Sequence, residues 1–159
     1  MSGVPQGVRN QLVVFSLDEQ RYALPLSAVE RVVRAVEITP LPKAPEVVLG
    51  VIDVGGRIIP AVDIRKRFRL PARELGLDDR FIIARTSKQR VALVVDSVAG
   101  IHGSADGELV SAEEALPFAA YLKGAAKMED GIVLLLDVDR FLGLDEERSL
   151  HAALSEVAG

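Results

Sequence analysis

Short apolar runs recur along the chain, each closed by polar or glycine-bearing residues. LVVFSL (12–17), RYALPL (21–26), VLGVID (48–53), RIIPAVDI (57–64), RFIIAR (80–85), VALVVDSV (91–98) and GIVLLLDV (131–138) are rich in Val, Ile and Leu. Turns such as Asp18-Glu19-Gln20 and Ser87-Lys88-Gln89 separate them. Many short strands at close spacing predict a barrel or sandwich rather than an α/β sheet. Within LGVIDVGGRIIPAVDI (49–64), Gly55 and Gly56 tolerate the positive φ of a tight hairpin turn. A phosphate loop would need a further glycine or a Gly-Lys-Ser/Thr run opening a helix, whereas here Arg57, Ile58 and Ile59 follow. Helix signals are few. Ser111-Ala-Glu-Glu114 has a capping-box form cut short by Pro117, and Asp145 is placed to cap a terminal helix over 145–159 with Leu150, Leu154 and Val157 along one face.

The chain also repeats itself. Gln20-Arg21-Tyr22-Ala23-Leu24 aligns on Gln89-Arg90-Val91-Ala92-Leu93 at an offset of 69, and the match runs on to Val29 against Val98. At an offset of 74, Gly50 aligns on Gly124, Ile58 on Ile132, Val62 on Leu136, and Asp63-Ile64 on Asp137-Val138. Each half ends in an Asp placed to cap a short helical turn, with Phe68 or Phe141 close behind. Units of this size are marginal alone, so their apolar faces are expected to be buried against one another. The expected fold is all-β: two small β-barrels, residues 12–70 and 80–144, sharing a core and free to exchange a strand, after a flexible leader over 1–10.

Composition narrows the function classes. A net charge of −4 with interspersed signs argues against a dedicated nucleic-acid surface or attraction to an anionic membrane. No run approaches a membrane-spanning length and the N-terminus lacks a signal-peptide core, so no direct membrane insertion is expected. The absence of cysteine excludes disulfides and thiolate zinc sites and suits a cytoplasmic location. His102, in a glycine-rich loop, and His151, in the terminal helix, are the only histidines, and neither has a nucleophile-elbow or two-histidine metal spacing nearby. Asp53, Asp63, Asp96 and Asp137 stand at strand ends, where carboxylates cap turns. A paired-carboxylate site stays open because spatial pairs are invisible in sequence. Arg65-Lys66-Arg67 with Arg69 reads as a solvated helix face. No catalytic residue, metal site or cofactor is assigned. What is left is surface, suited to holding other proteins by strand edges and apolar patches.

The order Phe15-x-Leu17, Tyr22, Val29-x-x-Val32, Ile38-Thr39-x-Leu41-Pro42, Gly50-Val51-Ile52, Ile58-Ile59-Pro60-x-Val62-Asp63 and Val94-Val95-Asp96-Ser97-Val98 resembles the CheW family of chemotaxis coupling proteins over residues 12–142. The resemblance implies two SH3-like five-stranded β-barrels around a common core. It also implies a non-enzymatic adaptor, cytoplasmic and recruited to receptor arrays, joining the chemoreceptor cytoplasmic tip to the regulatory domain of a CheA-type histidine kinase. A divergent accessory protein binding only one of these partners is the alternative. By the same resemblance the partner-binding residues are Val29, Arg31, Gly50, Asp53, Gly55, Gly56 and Arg57. Two positions depart from the family pattern. Asp53-Val54-Gly55-Gly56 stands for the usual Asn-Leu-Arg-Gly, and Arg31 stands where the family has Glu. The paired change leads us to expect a replacement contact between Arg31 and Asp53.

Overall fold

The computed structural model describes residues 11–76, 78–103, 108–110, 121–128, 131–141 and 144–158. Its strands are β1 (Gln11–Leu17), β2 (Gln20–Pro25), β3 (Val29–Arg34), β4 (Val48–Val54), β5 (Arg57–Val62), β6 (Arg80–Arg85), β7 (Arg90–Val95), β8 (Ser97–Gly103), β9 (Glu108–Val110), β10 (Leu122–Met128) and β11 (Gly131–Leu136). Two helices, α1 (Ile64–Arg67) and α2 (Leu144–Ala158), and 3₁₀ turns at Leu26–Ala28 and Val138–Arg140 complete the described elements.

Neither sheet is confined to one repeat. One runs β8-β1-β2-β11-β10-β9 and the other β3-β6-β7-β5-β4. Replacing each strand by its repeat partner turns the first five strands of one order into the other. The register follows too. The parallel pair Ala61↔Ala92 in β5–β7 corresponds to Leu135↔Ala23 in β11–β2. The bulge that skips Glu30 between β3 and β6 corresponds to the one that skips Ala99 between β8 and β1. The shifts beside Gly50 and Gly124 correspond as well. A three-residue strand, β9, is the one addition and makes the first sheet six-stranded.

The inner strands β1, β2, β5, β6 and β7 are nearly apolar in their middles because both faces are buried there, and the alternation assigns each face to a different core, whereas β3 and β8 are largely exposed. In β1, Val13, Phe15 and Leu17 enter the central core while Leu12 and Val14 enter a small core belonging to their own sheet. In β6, Ile82 and Ala84 face the centre while Phe81 and Ile83 face inward on the second sheet. This period-two division, one side outward to the shared core and one side into a private one, is what two packed β-barrels require. The centre is sealed by an aromatic column. Tyr22 stacks on Phe68 at 5.2 Å, Phe68 meets Phe141 edge-on at 6.1 Å, and Tyr121 stacks on Phe141 at 6.1 Å.

Asp63 and Asp137 act as the expected caps, accepting hydrogen bonds from the Arg65 and Asp139 amides. Other expectations give way. The run 91–98 is broken at Asp96 into β7 and β8, because Asp96 turns its carboxylate onto the β1–β2 turn and accepts from the Asp18 amide at 2.7 Å. Strand β10, LKGAAKM, has none of the β-branched residues that mark the other runs and is set by its pairing with β11. Helix α2 begins at Leu144, so Asp145 is inside it rather than before it, while Leu150 is buried and Leu154 packs against the central core as expected, joined by Ala153. The leader over 1–10 and the Ser111–Glu114 box lie outside the described residues.

Candidate functional site

The hairpin of β4 and β5 carries most of the partner-binding residues named from the sequence. Its turn follows from Gly55 (φ 58°) and Gly56 (φ 86°), conformations that cost a side-chain-bearing residue energy. The Asp53 carboxylate accepts from the Gly56 amide at 2.8 Å, so it is occupied in closing this turn. Gly50 answers to a different constraint. It is buried in the bulge of β4, and a Cβ there would lie 2.2 Å from the Thr39 carbonyl oxygen. Thr39 and Val51 exchange two backbone hydrogen bonds of 2.8 Å, laying the chain's own 38–39 segment across Gly50. The close approach that a bare glycine permits is thus intramolecular. Val29 is half-buried against the central core.

Arg31, Gly55 and Arg57 do converge. With Glu30, Val54, Ile59, Ile83 and Arg90 they line a shallow hollow of about 210 Å³ between β3 and the hairpin. Arg31 does not contact Asp53, and the expected replacement pair is not formed. The neighbouring Glu30 forms the ion pairs instead, at 2.6 Å to Arg90 and 3.5 Å to Arg85. The hydrogen bond from Arg90 holds the Glu30 carboxyl below its usual range, outweighing partial desolvation, with help from the charges of Arg85 and Arg57. Glu30, Arg85 and Arg90 were not foreseen. Arg85 and Arg90 come from the second repeat, and no local pattern in the sequence announces that β6 lies beside β3.

A second polar cluster lies at the junction of the sheets and takes Arg65 and Arg67 out of the expected solvated helix face, on which Lys66 and Arg69 stay exposed. Arg65 is buried, with Nη2 donating to Asp18 at 2.9 Å and to Asp96 at 2.8 Å, and Nη1 donating to the Pro71 carbonyl at 3.1 Å. Arg73 joins Asp96 at 2.6 Å to the buried Asp79 at 2.5 Å. Burial pushes the Asp96 carboxyl up, but the bonds from Arg65, the Asp18 amide and Arg73 outweigh it and hold it below its ordinary value. Arg67 donates to the Phe141 carbonyl at 2.7 Å, pairs with Glu146 and lies over the Tyr121 ring at 5.3 Å. These arginines are spent on the fold. Elsewhere the chemistry is sparse. His102 contacts the Ala99 carbonyl at 3.3 Å, and His151 lines an open concavity with Lys88 and Glu147. Among the described residues, no group of three or more His, Asp or Glu side chains is placed to hold a metal ion, and no helix is long and apolar enough to cross a membrane.

Among the described residues, four of the seven exposed large hydrophobic side chains fall into repeat-related pairs, while Val36, Leu49 and Leu75 do not. Ile58 and its repeat partner Ile132 are 56% and 55% exposed, and Val32 and Ile101 form a second related pair. Large aliphatic groups left in water at matching places on two strand pairs are a feature of protein-binding surfaces rather than of a small-molecule site.

Comparison with known proteins places this geometry. The family described as CheW-like domain matches residues 11–146. The chemotaxis protein CheW of Thermotoga maritima is 31% identical over 132 residues, covering 83% of this chain and 87% of its own. That of Treponema pallidum is 25% identical over 92% of both chains. The crystal structure of the scaffolding protein TtCheW from Thermoanaerobacter tengcongensis superposes with a TM-score of 0.77 at 30% identity, covering 87% of this chain and 95% of that one. The two-barrel architecture, the repeat that relates its sheets and the match from β1 to the start of α2 together show that this chain belongs to the CheW-like domain family.

Proposed function

We propose that the protein is a coupling scaffold that joins a chemoreceptor cytoplasmic tip to the regulatory domain of a CheA-type histidine kinase, acting on the cytoplasmic side of receptor arrays without catalysis of its own. The observation that carries the reading is the match to chemotaxis CheW proteins along nearly the whole two-barrel fold. The surface supports it. Each sheet exposes aliphatic residues at related positions, which suits a body that holds protein partners on separate faces. The β4–β5 hairpin and β3 form one such face, with Arg31, Gly55 and Arg57 lining its hollow, Asp53 and Gly56 closing the turn beside it, and Val29 and Gly50 packed beneath.

Reconstitution tests the reading. The purified chain, added to a kinase and a receptor cytoplasmic fragment, is expected to retain both in a pull-down and to raise kinase autophosphorylation. Replacing His102 and His151 by Gln is expected to leave that stimulation unchanged within about twofold, since an adaptor draws nothing from a general acid or base. Retention of neither partner by the unmodified chain overturns the coupling reading. A loss of stimulation of about tenfold in the folded histidine variant restores a catalytic one.

A further inference from the structure

The repeat supplies an internal control on the hollow beside Arg31. Its apolar floor recurs in the other sheet: Ile59 corresponds to Val133, Ile83 to Val14 and Val54 to Met128. Its charges do not. Glu30 corresponds to Ala99, Arg31 to Gly100, Arg57 to Gly131 and Arg85 to Ser16, and only Arg90 has a charged counterpart, Arg21. The same strands in the same register therefore form without these groups, so folding does not call for them. Four guanidinium groups gather around one carboxylate, on a chain whose overall charge is −4. Glu30 is taken by Arg90 and Arg85. The nearby Asp53 carboxylate is taken by the Gly56 amide. Arg31 and Arg57 are exposed and have no ion-pair partner among the described residues.

We propose that this hollow takes a carboxylate-bearing segment of a partner protein, with Arg31 and Arg57 as the residues that select it. The proposal rests on the coupling reading, because it takes the occupant to be a protein. Charge complementarity identifies the acid. Two guanidiniums outside any ion pair, beside the partly exposed Val54, fit a segment that presents carboxylates to the arginines and an aliphatic side chain to Val54. A nucleic acid fits less well. No aromatic ring lines the hollow on which a base could stack, and the net negative charge of the chain opposes a polyanion.

The test uses the whole chain and two short synthetic peptides of the same length, one alternating Glu with Leu and one alternating Lys with Leu, with a short oligothymidylate as a third probe. Calorimetric titration is expected to show the Glu-Leu peptide binding at least about tenfold more tightly than the Lys-Leu peptide, with the preference falling as salt is raised. Amide shifts in the bound state are expected to centre on Arg31, Val54 to Ile59 and Arg90. The double variant Arg31→Gln, Arg57→Gln is expected to abolish the preference. Both side chains are exposed, so its amide spectrum reports that the fold is kept, and Arg57→Gln alone gives a milder second reading. Equal binding of the two peptides, a preference that survives in the double variant, or tighter binding of the oligothymidylate overturns the proposal. The pull-down separates this from the coupling reading. A chain that prefers the Glu-Leu peptide but retains neither kinase nor receptor fragment keeps the hollow and loses the coupling function. One that couples both partners equally well with and without Arg31 and Arg57, and shows no peptide preference, does the reverse.

Discussion

At Gly50 a Cβ would lie 2.2 Å from the Thr39 carbonyl oxygen, on a backbone at φ 155°, whereas at Gly55 it would meet nothing within 4 Å. Both glycines stand on one hairpin, and sequence marks both as required without saying by what. Gly55→Ala meets only the left-handed backbone and is expected to cost about 1 kcal/mol. Gly50→Ala forces the 38–39 segment off β4 as well and is expected to cost about 3 kcal/mol or more. Urea denaturation of the two variants decides the matter, and equal losses would show that the contact with Thr39 is relieved cheaply. Any failure of a Gly50 variant to bind partners is then expected to scale with its loss of folded protein, because Gly50 is buried beneath its own chain rather than offered to a partner.

The elements are held in register by polar groups at their ends as much as by the strands between. Arg65 at the start of α1 ties the β1–β2 turn at Asp18 to the β7–β8 corner at Asp96, and so ties the two sheets. Asp96→Asn leaves a buried guanidinium short of a charged partner. The expected cost at neutral pH is about 2 kcal/mol, below the range for a wholly buried pair because the Asp96 side chain is still 22% exposed. The pH dependence has a definite sign. The folded pKa of Asp96 lies below its ordinary value of 3.8, so between the two the unfolded chain binds a proton that the folded chain does not. Its contribution is complete above 3.8 and disappears as pH falls through the folded value. The stability gap between the unmodified chain and Asp96→Asn is accordingly expected to narrow as pH is lowered from about 5, and a gap that holds constant would assign the effect to packing. This junction was half legible. Asp63 and Asp137 were readable as strand-end caps, since a cap is a local device, whereas Asp96 spends its carboxylate on the distant Asp18 amide and on Arg65 and Arg73. Arg65 was misread as solvated because its partners lie 47 and 31 residues away, beyond any local pattern. The same limit hid Glu30, Arg85 and Arg90 around the hollow, while its Gly55-Gly56 turn was plain.

At the scale of the whole molecule, the repeat predicted the fold, and the way its strands are shared predicts how the molecule comes apart. The described pairings let the chain be divided in thought at the exposed stretch 71–75. The first fragment keeps the hairpins β1–β2 and β4–β5, but β3 loses its partner β6, and β5 loses β7. The second keeps β6–β7 and β10–β11, but β8 loses β1, and β11 loses β2. Isolated hairpins are marginal in water, and each fragment would expose the side of its strands that builds the central core. Two barrels visible to the eye are therefore one folding unit. We expect each fragment alone to give the collapsed amide spectrum of an unfolded chain, and the two mixed at equal concentration to recover the dispersed spectrum of the whole. Denaturation of the intact protein followed by far-ultraviolet circular dichroism and by tyrosine signals should then give coincident transitions, because Tyr22 and Tyr121 sit in the aromatic column that both sheets enclose. A well-dispersed spectrum from either fragment alone, or two separated transitions in the intact chain, would mean that a barrel can hold its fold without the strands it receives from the other repeat.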